Sequence, residues 1–449
     1  MLPFSARYRK VCLEPDSEIS TDMATPIKHS GFRFKGIPIK ARCFVIILAL
    51  LALYLFVTIY FTLKENRLTK EEFLDVYKCP ACYGHSFCFA LFDDQFSLQG
   101  VSRYSVLDVM NVKNVHFAYH KEGLHQVVLK KLAHVDELQK VDDEICKDSV
   151  REPGCDVAKR MVVSKTAQDI GLNGLLPGHL KDTTFMFLCV THKLIDRVLE
   201  RYKERSRPGV TRMDDYLQIL YTARVNPEPL MLQTFPASEG WPFPEYLGAC
   251  GRYIVQEYNG KSLADFVNAP FQKRADLAYQ MMKMADRLTS DPDWNLYWTD
   301  LVYNNFAVDE AGKLTYIDAE NIVVVDKQAT KISNPKSWDD LAESEYIQCD
   351  ENRGNDCLTF DTNQLCTHHM ADHNYFAVCR NVLSSYADNR PTGGSAHLLH
   401  DIPDKIKHDW DLEILLNECV RPHYPQGRYK VAHKLMQALE HIRDSKKPL

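Results

Sequence analysis

Apolar and polar positions along this chain fall into three regimes. Residues 43–63, CFVIILALLALYLFVTIYFTL, form an unbroken run without a charged side chain. At about 1.5 Å of rise per residue such a run spans the ~30 Å hydrocarbon layer of a bilayer, and it predicts a transmembrane helix. Beyond it the pattern shortens. β-Branched and aromatic residues cluster at 114–118 and 125–130 on either side of Lys121, Glu122 and Gly123, which predicts a β-hairpin. From 134 to 146, Val135, Leu138, Val141 and Ile145 recur at helical spacing; 193–205 and 213–223 predict further helices, and 230–235 and 252–258 predict short strands. After Asn259 and Gly260 the period changes. Pro270 opens a helix with Leu277, Met281, Met284 and Leu288 on one face. Strand-like pieces at 297–308 and 314–325 flank a turn at 309–312, and helices follow near 371–387 and 427–443. A strand-rich first half ahead of a helix-rich second half predicts an α+β body of two lobes joined at Tyr258, Asn259 and Gly260.

Composition sets the compartment and narrows the partners. With 449 residues, 45% of them apolar, the chain has material for a large core, and a formal charge of −6 supplies no basic field for nucleic acid. Lys28, Arg33, Lys35, Lys40 and Arg42 precede the apolar run with no acid among them, whereas the charges after it nearly cancel. The positive-inside rule therefore keeps the N-terminus cytosolic and the body lumenal. The run is longer than a cleavable signal, and no small-residue cut site follows it, so it predicts an uncleaved signal anchor. The expected division is a cytosolic tail at 1–42, the anchor at 43–63, a stem at 64–76, a first lobe at 77–258 and a second lobe at 259–449, with a Cys-rich segment at 349–379. Of 14 cysteines, twelve lie beyond the anchor. An even number in a lumenal body predicts disulfides, with the connectivity left open. No Asn-x-Ser/Thr acceptor follows the anchor, which counts against a lumenal body of this size.

Phosphoryl transfer needs a cation on the nucleotide phosphates, an amide and carboxylates for metal, and an acid beside the incoming hydroxyl. Each has a candidate. Lys130 ends Val-Val-Leu-Lys on a predicted strand, and Glu137 on the following helix is placed to hold it, with Glu144 as competitor. Asp300-Leu-Val-Tyr-Asn-Asn305 matches the D-L-x-x-x-N catalytic loop of kinases, and Tyr-Ile-Asp318 follows after a hairpin. Asp300 would take the hydroxyl proton, while Asn305 and Asp318 would chelate the ions.

Further segments point the same way: Cys79-Pro-Ala-Cys82, Asn111-Val-Lys-Asn-Val115, Asn226-Pro-Glu-Pro-Leu230, Glu239-Gly-Trp-Pro-Phe243, Tyr246-Leu-Gly-Ala-Cys-Gly-Arg252, Asp318-Ala-Glu-Asn321 and Asp372-His-Asn-Tyr375. With these the chain resembles the divergent protein kinase domain proteins of the secretory pathway, in their "deleted in autism" branch, over nearly everything from Cys79 onward. The resemblance implies a two-lobed, disulfide-rich protein-kinase-like fold behind the N-terminal helix. It also implies residence in the Golgi or endoplasmic reticulum membrane, or release after cleavage, and a signalling role. Its expected ligands are ATP and Mg²⁺ or Mn²⁺, with lumenal or extracellular proteins as acceptors. The rival expectation is a pseudokinase acting as a secreted or tethered ligand or scaffold.

Several positions depart from ordinary kinases. Trp298 and Thr299 stand where His-Arg precedes the catalytic aspartate, so the usual arginine link to a phosphorylated activation loop is missing. Asp318-Ala319-Glu320 replaces D-F-G, and Glu320 offers a further metal ligand. No Gly-x-Gly-x-x-Gly occurs in the first half; residues 96–100 are the nearest substitute. Elsewhere, Cys79 and Cys82 could form a redox pair, but no βαβ unit precedes them and Cys88 lies beside them, which favours structural disulfides. His369 and His373, near Cys366 and Asp372, have zinc-like spacing, yet a packed or hydrogen-bonded pair is preferred. Trp241 is expected to anchor core.

Overall fold

Short runs of β-branched and aromatic residues build one antiparallel sheet from five strands: β1 (Phe96–Leu98), β2 (Val115–His120), β3 (Gln126–Lys130), β4 (Tyr246–Cys250) and β5 (Tyr253–Glu257). Their order is β1-β2-β3-β5-β4. The computed structural model describes residues 39–64, 66–100, 114–123, 125–149, 155–206, 211–333, 336, 340–346, 358–384 and 397–445. The expected hairpin is β2–β3, with Val115 opposite Lys130, and Lys130 in turn lies opposite Ile254 of β5. Because side chains alternate along a strand, Val127 and Leu129 enter an apolar cluster with Leu68, Leu91 and Val255, while Val128 and Lys130 turn to a cleft on the other face.

The first half is richer in helix than the sequence suggests. Helices Val135–Ser149, Val157–Val163, Lys165–Asn173, His192–Ser206 and Met213–Val225 are inserted between β3 and β4. The stretch 230–235, expected as a strand, lies largely in the helix Glu228–Thr234. Proline is tolerated in a helix's first turn, where its missing N–H costs nothing. Pro227 takes the N-cap and Pro229 the first turn, and the Leu-Met-Leu-Gln that follows favours helix.

The second half is built on the helix Phe271–Ser290, whose expected stripe of Leu277, Met281, Met284 and Leu288 is buried. The helix Gly427–Asp444 packs against it. Two small antiparallel sheets lie in this half, β6 (Lys261–Ser262), β8 (Phe306–Val308) and β9 (Leu314–Tyr316), and β7 (Trp294–Trp298) with β10 (Ile322–Asp326), besides a parallel pair, Leu341–Ala342 with Met370–Ala371. The chain passes from β5 to β6 through Tyr258, Asn259 and Gly260.

Five disulfides join Cys79–Cys82, Cys88–Cys250, Cys146–Cys155, Cys189–Cys366 and Cys379–Cys419 among the described residues. Cys349 and Cys357 lie outside them. The zinc-like group dissolves: Cys366 is disulfide-bonded, Asp372 pairs with Arg428, and His373 Nε2 meets Trp298 O at 2.6 Å. Trp241 is buried, with Phe235 5.0 Å and the Arg287 guanidinium 3.9 Å from its ring.

Contacts divide the chain into Met1–Thr62 and Leu63–Leu449. The uncharged run falls wholly within one helix, Ile39–Lys64. Among the described residues no helix is long and apolar enough to cross a membrane.

Gly260 makes the passage from β5 to β6 possible. Its φ is +101°, and a Cβ there would sit 2.0 Å from Val308 O, a backbone atom that cannot swing aside. Gly260→Ala is expected to destabilise the body by roughly 3 kcal/mol, read from the urea midpoint.

Candidate functional site

Lys130 reaches two other segments from the end of β3. Its Nζ donates to Glu228 Oε1 at 2.7 Å and to Ile317 O at 2.6 Å. The lysine side chain is 12% exposed and the glutamate 1%, so this is a buried pair. Glu228 opens its helix, and its own N–H donates to Asn226 Oδ1 at 2.9 Å. Asn226 Nδ2 donates to Leu132 O at 3.0 Å and also to Glu320 Oε2. One asparagine thus links the strand-end loop, the partner of Lys130 and the acid that replaces the kinase glycine.

The glutamate expected to hold Lys130 was misassigned. Glu137 is exposed, and its Oε2 accepts from His134 N at 2.7 Å, which caps its own helix. Glu144 is exposed on the same helix. Both border the cleft, but neither meets the lysine. The sequence signal for Glu228 was the first-turn acid between two prolines, hidden by reading 230–235 as strand.

The catalytic-loop candidates converge on the other side. Asn305 Nδ2 donates to Asp300 Oδ2 at 3.2 Å, and Ile317 N donates to Asn305 O at 2.8 Å, which brings Asp318 next to the Lys130 clamp. Tyr316 Oη donates to Asp300 O at 2.9 Å, and Thr299 N donates to Asn321 O at 3.0 Å. Further back, Trp298 N donates to Asn374 Oδ1 at 3.1 Å. Burial lowers His373 to about 4, so the ring is neutral and its Nε2–H is the donor to Trp298 O. Lys130, Asn305, Asp318 and Glu320 all line one cavity of about 1360 Å³, together with Glu137 and Glu228. Asp300 is not among its lining residues. Of the segment 96–100, β1 takes the first three residues, and Gly100 has φ +55°; positions 101–113 lie outside the described residues.

Charge in this cavity is unbalanced. Lys130, Lys140 and Arg224 face seven carboxylates. Burial pushes Glu228 up to about 7, reinforced by Asp318 and opposed by Lys130. Glu320 also rises to about 7, through burial first and the charge of Asp318 second. Burial alone would lower the Lys130 ammonium, but Glu228 and Asp318 overcome it and the net shift is upward. Glu228 Oε2 is buried without a hydrogen-bond partner. Oxygen donors in excess of local cations suit a hard divalent ion, and Asn305, Asp318 and Glu320 are the lining residues that could ligate one. The group Cys79, Cys82 and His85 also brings ligand atoms within 4.8 Å of one another, but its cysteines are bonded together.

A family model described as the protein-kinase domain of FAM69 matches residues 220–422. That span includes Glu228, Asp300, Asn305, Asp318 and Glu320 and leaves Lys130 outside. The chain is 41% identical over 393 residues to Divergent protein kinase domain 2A of Xenopus tropicalis, covering 84% of this chain and 90% of that relative. Identity to Divergent protein kinase domain 2A of Homo sapiens is 40% over 394 residues, with the same coverage of 84% and 90%. Divergent protein kinase domain 2B of Bos taurus is 30% identical over 271 residues, 58% of this chain and 62% of that relative.

The two glutamates separate cleanly in a stability measurement. Glu228→Ala strands a buried ammonium and is expected to cost roughly 3–5 kcal/mol, whereas Glu137→Ala removes one exposed cap and costs about 1 kcal/mol or less. Urea unfolding of the two variants beside the parent chain reads the difference.

Proposed function

This chain belongs to the divergent protein kinase domain family, and we propose that it binds ATP with Mg²⁺ or Mn²⁺ in the cleft and transfers the terminal phosphoryl group to lumenal or extracellular proteins. The observation that carries this reading is the meeting of Lys130, Glu228, Asn305, Asp318 and Glu320 around one cavity, from strands and loops on both sides of the cleft. Lys130 grips phosphate oxygens from a position fixed by Glu228. Asn305, Asp318 and Glu320 hold the ions, which neutralise phosphate charge when bound. Asp300, steadied by Asn305 Nδ2, orients the acceptor hydroxyl and takes its proton.

The pseudokinase reading, in which the body serves as a ligand or scaffold, draws on one observation: Glu320, in place of the kinase glycine, adds an acid to a cavity already rich in carboxylates. For location, we favour a signal anchor with the body in the Golgi or endoplasmic reticulum lumen, or released from it by cleavage. Five disulfides in the body, the uncharged run at 43–63 and the cations before it support that topology.

Label transfer from ATP to protein acceptors tests the catalytic claim. Asp300→Ala is expected to lower transfer by ~10²–10⁴-fold. Equal transfer by parent and variant, or none by the parent while nucleotide still binds, favours the scaffold.

Titration supplies a second test. A cation needs the Glu320 carboxylate ionised, and its folded value of about 7 lies above the ordinary 4.5. Affinity for Mn²⁺–ATP is therefore expected to rise from pH 6 to pH 8, and Glu320→Gln to flatten that rise. Without ligand the sign reverses: the protonated carboxyl stabilises the fold below about 4.5, and that contribution is lost as pH climbs through about 7. Fluorescence titration at several pH values measures the first effect, and urea midpoints at the same pH values measure the second.

A further inference from the structure

Cys88, whose nearness favoured a structural role for the whole cysteine cluster, bonds to Cys250 across 162 residues of chain and leaves Cys79 paired with Cys82. A bridge across three positions restricts the unfolded chain far less than one across 162, because the entropy removed grows with loop length. Nor does the segment need it for shape. Ala81 N donates to Lys78 O, Cys82 N to Pro80 O, and Tyr83 N to Gly251 O at 2.8 Å. The Arg252 Nε donates to Ala81 O at 3.0 Å from a buried position.

What remains is an arrangement suited to exchange. Cys79 is partly exposed and Cys82 is fully buried, so an incoming thiol can approach one sulfur and not the other. A ring nitrogen of the exposed His85 lies within 4.8 Å of both Sγ atoms. Lys78 and Arg252, near the pair, are both ion-paired with the buried Asp142, so the partly exposed Cys79 sulfur and the His85 ring are what equip the site.

We infer that Cys79, Cys82 and His85 form a thiol–disulfide exchange site whose substrates are low-molecular-weight thiols and accessible protein dithiols. In the reductive direction a glutathione thiolate attacks Cys79 Sγ, and the bond to Cys82 breaks with its electron pair left on Cys82 Sγ. A proton from water, relayed by the nearby His85 ring, caps that sulfur. A second glutathione thiolate attacks the glutathione sulfur of the mixed disulfide, which releases Cys79 as the thiol and forms glutathione disulfide. Two electrons and two protons pass from two thiols to the cysteine pair, and the reverse sequence oxidises a dithiol. This inference is independent of phosphoryl transfer.

The test exposes the purified full chain to graded mixtures of reduced and oxidised glutathione. Alkylation and peptide mass spectrometry then locate each opened bridge. Cys79 and Cys82 are expected to label first, while Cys88–Cys250 and Cys379–Cys419 stay closed. In Cys82→Ser, glutathione is expected to collect on Cys79; in Cys79→Ser it is not expected to collect on Cys82. His85→Gln should slow the opening about tenfold near neutral pH without changing which bridge opens. Opening of Cys79–Cys82 no earlier than Cys88–Cys250, or glutathione accumulating on Cys82, overturns the inference. So does a reduced pair that takes up one tightly held zinc ion and no longer exchanges. The parent chain alone supports the first comparison if either serine variant does not fold.

Discussion

The buried contact between Lys130 and Glu228 is the constraint on which the cleft depends. An ammonium and a carboxylate removed from water hold each other only when their geometry is complete, and here Ile317 O supplies the further acceptor that the lysine needs. The three groups come from β3, the helix after the inserted segment, and the loop before Asp318. Their meeting fixes where the sheet, the helix and the metal-binding candidates stand relative to one another. Glu320, joined to the same network through Asn226, shares that fixation.

A second set of contacts steadies the loop that carries Asp300. Asn374 and His373 engage the backbone of Trp298 on both its N–H and its carbonyl, while Asn374 Nδ2 also donates to Leu296 O. The preceding residue, Asp372, is buried against Arg428, which also donates to Cys419 O and Val420 O. A charged pair in the interior thus sets the start of the His373 helix, and that helix sets the backbone two residues before Asp300. The Cys379–Cys419 bridge ties the same region together covalently.

Much of this was legible from residue pattern, and the failures have physical causes. Lys130 is legible because Val-Val-Leu-Lys stands where kinases carry V-A-I-K, and Asp300, Asn305 and Asp318 because D-L-x-x-x-N and the aspartate after the hairpin keep kinase spacing. Glu228 was missed because its pairing is long-range. It lies 98 residues from Lys130, and the inserted helices make no periodic link between them. The prolines around it disguised a helix start as irregular chain, and Leu230 to Phe235 then passed for strand. Disulfide partners were equally hidden: Cys88 and Cys189 pair across 162 and 177 positions, distances that spacing cannot encode. The clamp on Trp298 had a signal in Asp372-His-Asn, but His373 Nε2 serves Trp298 O, and the other zinc-like groups are engaged elsewhere, Cys366 by Cys189 and Asp372 by Arg428.

The fold concentrates more negative than positive charge around a space sized for a small molecule. Triphosphate entering by itself would meet repulsion that Lys130, already shared with Glu228, does not offset. A divalent ion reverses that balance by binding both parties. Calorimetric titration of the full chain with ATP, in the presence of Mn²⁺ and again in the presence of a chelator, tests this most directly. The account predicts saturable binding with Mn²⁺ that disappears in Asp318→Ala and is lost with chelator. Equal affinity with and without the metal, or heat of binding unchanged in Asp318→Ala, would contradict it.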